Sequence, residues 1–112
     1  MKRAIILVID SMGCGAMSDC ADYKDIQECN TLCNVAKANG GLNLPTMQKM
    51  GIGNLGNVMG VAPEKETNAQ YGIMREVSKG KDTTTGHWEI AGLVLDEPFR
   101  VYPDGFPSDV IE

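Results

Sequence analysis

Ala4 to Ile9 forms an unbroken apolar run of mostly branched residues, ended by Asp10. A run of that kind has the form of a strand whose two faces are both covered by helices, as in the middle of a parallel sheet. It predicts an α/β fold with this segment as a central strand. In open α/β sheets ligands bind outside the carboxyl ends of the strands, so Asp10 stands where a metal ligand or a phosphate-site anchor belongs. The alternative is a turn residue that caps its own backbone, which suits an Asp followed by Ser11 and Gly13. Lys2 and Arg3 precede the run, but six apolar residues are too few for a signal-peptide core or a membrane span, which predicts a cytoplasmic protein.

A second stretch, Gly80 to Glu89, reads GKDTTTGHWE. Gly80 gives backbone freedom, an Asp or Thr can cap the first free amides, and Trp88, Ile90, Ala91 and Leu93 supply a face to bury, so the stretch predicts a turn into a helix. Free amides and the helix dipole favour an anion there, and a phosphoryl group carried on one of the threonines would be stabilised. Spacing alone favours the plainer alternative, that the threonines are caps and nothing more. Tyr71 to Val77, just upstream, reads as a strand, so Asp10 and Thr83 would both follow strands and share one sheet edge.

Between these stretches, Asn30 or Thr31 can cap a helix with Leu32, Val35 and Ala36 on one face, stopped by Gly40 and Gly41. Leu44 to Met50 predicts a shorter helix with Met47 and Met50 inward, and Asn54 to Gln70 reads as a loop. Gly51, Gly53 and Gly56 spell G-x-G-x-x-G, but a proline-initiated helix precedes them instead of a strand, so they are read as turns. Gly80-Lys81 is not a P-loop, because Arg75 and Asp82 occupy positions that need Gly and Ser or Thr. The net charge of −5, with scattered Lys and Arg, argues against a nucleic-acid partner. Cys14, Cys20, Cys29 and Cys33 form no C-x-x-C pair. They are read as free packing residues, with a structural zinc site as the alternative.

The wording of GKDTTTGHWE, followed by IAGLVLDEPF and YPDGFP, closely resembles the phosphopentomutase family, metal-dependent sugar-phosphate mutases of the alkaline phosphatase superfamily. The resemblance extends to MKRAIILVIDSMGCGA and to NTLCNVAKANGGLNLPTMQKMGIGNL, and so covers nearly the whole chain. It implies a partial alkaline-phosphatase-like core, a mostly parallel sheet flanked by helices. Residues 1–97 would be the N-terminal part of the metalloenzyme core, and 98–112 a connection towards an absent cap domain, in keeping with Pro98, Pro103 and Pro107.

The resemblance also implies a reaction. Thr83 matches the catalytic threonine that is phosphorylated and bridges two divalent metals, Mn2+ or alternatively Mg2+, and Asp10 matches a metal ligand after the first strand. Phosphate would move between the 1 and 5 positions of ribose or deoxyribose through a phosphothreonine and a sugar bisphosphate activator. Family members are several times longer, and this chain has one histidine. The remaining ligands are therefore expected outside it, in a missing C-terminal part, and the piece alone is expected to be inactive. Two other readings stand beside this one: a non-catalytic module that binds a phosphate-bearing ligand or partner chain, and another metal-dependent phosphomutase or phosphatase of the superfamily. No membrane partner is expected.

Overall fold

A helix closes its hydrogen bonds within its own segment, whereas a strand must borrow a neighbour's, and that difference decides what this chain builds. The computed structural model describes residues 2–112. Among them there is no β-strand, which overturns the expected mostly parallel sheet flanked by helices and, with it, the shared sheet edge for Asp10 and Thr83. Residues 4–9 have no regular structure, and Ile5, Ile6 and Leu7 are 89%, 71% and 88% exposed. Tyr71, Ile73, Met74 and Val77 are exposed as well, on a stretch that is equally irregular. Both runs have strand composition, but neither forms a ladder among the described residues.

The chain divides into two compact units, Met1–Met74 and Arg75–Glu112. In the first, a 3-10 turn at Cys20–Tyr23 precedes helix α1, Thr31–Ala38, whose cap is Asn30; its side-chain oxygen accepts from the Cys33 amide at 3.0 Å. At the other end Gly41 N–H donates to Ala36 C=O at 2.8 Å and Gly40 N–H to Lys37 C=O at 3.1 Å, the paired bonds of a Schellman stop. Helix α2, Pro45–Met50, begins with proline in the first turn and ends at Gly51 in the left-handed region, followed by a 3-10 turn at Ile52–Asn54. Gly51 and Gly53 thus serve as turn residues.

Leu32 and Ala36 from α1 meet Ile52, Val58 and Val61 in the core of this unit, with Cys14, Cys33, Leu42, Leu44, Met47 and Leu55 packed around them. Met47 points inward as expected, but Met50 is half exposed, because the helix ends there. The loop that carries Val58 and Val61 is pinned by Asn54, whose side chain donates to Glu64 C=O and accepts from Glu64 N–H, both at 2.8 Å. One amide side chain there stands in for a backbone pair.

The second unit is built on helix α3, Thr83–Ile90, with a short helix α4, Ser108–Ile111, near its end. Gly92, at φ 98°, closes α3: its N–H donates to Glu89 C=O at 2.9 Å while Leu93 N–H donates to Trp88 C=O at 2.8 Å. A side chain at Gly92 would be strained in this left-handed conformation. The proline-containing segment between the helices has no helical residues, and Phe99 meets the Trp88 ring edge to face at a centroid distance of 5.4 Å.

Candidate functional site

The turn into α3 uses its side chains differently from one another. Asp82 is extended (φ −126°, ψ 156°) and is the cap: Oδ1 accepts from the Thr85 amide at 2.9 Å. Its other oxygen, Oδ2, accepts from the Thr85 hydroxyl at 2.6 Å. Thr85 is fully buried. The hydroxyl of Thr85, then its amide, hold the Asp82 carboxyl below its ordinary range, because both bonds favour the ionised form. Gly80 fits against this pair so closely that a Cβ there would lie 2.8 Å from Thr85 Oγ1 and 3.3 Å from Asp82 Oδ2. The sequence needs glycine at this position for space.

With Asp82 as the cap, Thr83 is left at the first helical position with its side chain exposed. The two readings of the threonine triplet therefore separate by residue. Thr85 belongs to the cap, while Thr83 presents a hydroxyl at the positive end of the helix dipole, where an attached or approaching phosphoryl group is favoured. His87, one turn on, places Nδ1 at 2.7 Å from the Thr83 carbonyl oxygen. A carbonyl has no proton to give, so Nδ1 carries it.

Two further residues, unremarked in the sequence, organise the approach to this turn. The Glu89 carboxylate accepts from Val77 N–H at 2.9 Å and from Ser78 N–H at 2.7 Å, and it is held below its ordinary range by the Ser78 hydroxyl, then by the Val77 and Ser78 amides. Ser78 is buried, and its Oγ accepts from Leu95 N–H at 3.0 Å. No local pattern signals a helix-borne carboxylate whose partners lie eleven and twelve residues back; only the folded turn brings them together.

Asp10 lies in the first unit and Thr83 in the second. Asp10 sits in a turn, and its Oδ1 accepts from Ser11 N–H at 3.0 Å with Ser11 at φ 60°. That is the geometry of a carboxylate closing its own turn. Among the described residues no three His, Cys, Asp or Glu side chains gather in a way that could hold a metal ion. The described donors therefore do not amount to a two-metal centre. All four cysteines are free thiols, and burial, then Cys33, pushes the Cys14 thiol up. No helix among the described residues is long and apolar enough to cross a membrane.

The site is thus a helix start capped by Asp82, with Thr85 buried in the cap and Thr83 and Thr84 both exposed. Comparison with known proteins says what the chain as a whole is similar to. The chain is 57% identical over all 112 residues to a phosphopentomutase of Dictyoglomus thermophilum, of which it covers 28%. It is 54% identical over the same 112 residues to a phosphopentomutase of Acetivibrio thermocellus, covering 29% of it. With a phosphopentomutase of Thermotoga petrophila the identity is 53% over 110 residues, 98% of this chain and 28% of that protein. The resemblance to phosphopentomutases therefore runs the whole length of the chain, and the chain spans only about 28% of the relatives it matches. No protein-family model matches it.

Proposed function

We propose that this chain is the N-terminal piece of a phosphopentomutase, an isomerase acting in pentose phosphate metabolism in the cytoplasm, and that Thr83 is its phosphoryl carrier. The observation that carries the proposal is the exposed Thr83 at the head of α3, freed from capping by Asp82, within a chain that matches phosphopentomutases from end to end. Phosphothreonine would donate its phosphoryl group to the free hydroxyl of ribose or deoxyribose 1- or 5-phosphate, giving the sugar bisphosphate. The Thr83 oxygen, left as the leaving group, would then take up the other phosphoryl group, and a pentose phosphate of the opposite position would depart. Added bisphosphate serves as activator because it loads Thr83 directly.

Asp10 and Thr83 would supply two of the ligands of a divalent metal pair, Mn2+ or Mg2+, with the others on the remainder of the enzyme. Residues 98–112 would lead towards that remainder. Because the described donors do not make a metal centre, the chain by itself should be catalytically silent. Supplying the missing part of a phosphopentomutase should restore mutase activity, and incubation with a sugar bisphosphate should then place phosphate on Thr83 in a mass spectrum. Label on Thr84 or Thr85, or full activity of Thr83→Ala, would sink the assignment. Failure to complement, together with retained binding of pentose phosphate, would favour the non-catalytic module.

A further inference from the structure

A cap fixes a helix start relative to the helix itself, but it does not fix the helix relative to the chain that enters it. In this protein that second constraint comes from Glu89. Its carboxylate takes the two successive amides of Val77 and Ser78, with Val77 N–H at 2.9 Å from Oε1 and 3.2 Å from Oε2, and Ser78 N–H at 2.7 Å from Oε2. The same entering segment is tied to the chain after α3, since Ser78 Oγ accepts from Leu95 N–H at 3.0 Å and Lys79 N–H donates to Leu95 C=O at 2.8 Å. The turn from Gly80 to Asp82 is therefore clamped at one end by Glu89 and Leu95 and at the other by the bonds between Asp82 and Thr85. Thr83 is the next residue.

We propose that Glu89 is a positioning residue for Thr83, holding the entering segment against α3 so that the threonine hydroxyl is presented in one place. The inference rests on the reading of Thr83 as the phosphoryl carrier. The location of Glu89 supports a dedicated role: a carboxylate in the last turn of a helix is disfavoured by the helix dipole, and here its charge is spent on the three donors of Val77 and Ser78 instead. All the partners are donors, so only an acceptor-only group fits. Glutamine has the same shape but would turn an NH2 towards an amide N–H. Group transfer is sensitive to misplacement of the reacting oxygen on the scale of an ångström, so loosening this clamp should be felt in the chemical step.

Two measurements test it. In amide NMR spectra of the 112-residue chain, the Val77 and Ser78 resonances should titrate together, at a pH below the ordinary glutamate range. Glu89→Gln should abolish that titration and move the Thr83 and Thr84 amides. Amides of Val77 and Ser78 that ignore Glu89→Gln would overturn the clamp. In the chain completed by the remainder of a phosphopentomutase, Glu89→Gln should lower kcat by roughly tenfold or more while KM for the pentose phosphate stays within about twofold. Ser78→Ala, which removes one of the three donors and keeps the backbone, should act in the same direction and less strongly. Unchanged kcat in both variants, even with a lowered Tm, would make Glu89 a stabilising residue only and overturn the proposal. Loss of kcat in Glu89→Gln beside an active Thr83→Ala would instead show that the carrier had been misassigned, which separates the two failures.

Discussion

Thr83 and Thr85 sit two positions apart, and the helix start assigns them different work. Thr85 is fully buried with its hydroxyl on Asp82, so Thr85→Ala removes a buried methyl group and a charge-assisted hydrogen bond and should lower stability by about 1–2 kcal/mol. Thr83 is exposed at the first helical position, and Thr83→Ala should leave the denaturant midpoint nearly unchanged while abolishing phosphoryl transfer in the completed enzyme. Denaturation curves and activity on the two variants check both statements. Spacing alone left each threonine open to either reading, and only the family resemblance singled out Thr83; the structure adds that Thr85 is buried and Thr83 exposed. pH adds a second check. Asp82 and Glu89 both have carboxyl groups held below their ordinary range by hydrogen bonds to the ionised form. Their contribution is then fully present above the unfolded-state values, near pH 4 to 4.5, and is lost as pH falls through the lower folded-state values. The thermal stability of the wild type should therefore fall below about pH 4, and Asp82→Asn should flatten that dependence.

At the scale of elements, what could be read from sequence was what depends on neighbours in sequence. The helix at Asn30 to Gly41 was legible because its cap, its buried residues and its glycine stop all lie within a dozen residues; for α3 only the capped start was legible, since Trp88, Ile90, Ala91 and Leu93, the face expected to be buried, are exposed and Thr85 is buried instead. Asn30→Ala should cost about 1 kcal/mol by leaving the first-turn amide of Cys33 without its acceptor. Gly92→Ala should cost about 1–2 kcal/mol, because residue 92 closes α3 in the left-handed region that a Cβ disfavours. Chemical denaturation with coincident probes measures both. The runs at residues 4–9 and 71–77 were misread as strands for the converse reason: composition specifies a strand's side chains but not the segment that pairs with it. The Glu89 clamp escaped notice because its partners are distant in sequence and have no side-chain signature in the case of the two amides.

For the molecule as a whole, the decisive fact is how much strand-forming apolar surface is left in solvent. Ile5 and Leu7 are 89% and 88% exposed, while the buried cluster comprises only Leu32, Ala36, Ile52, Val58 and Val61. Six apolar residues in a row with open backbone donors and acceptors would normally be a template for aggregation. Such a run either stays open, as the structure has it, or associates with a copy of itself. Hydrogen exchange discriminates between the possibilities. In the chain alone the amides of residues 4–9 should exchange close to the unprotected rate, since the structure gives them no ladder, whereas those of α1 should be protected. Ile6→Lys should leave the protection of α1 intact and reduce self-association of the chain alone, because a charge interrupts the apolar run without touching the core. Slow exchange at 4–9 would show that the run has a partner, and self-association unchanged by Ile6→Lys would show that this run does not drive it.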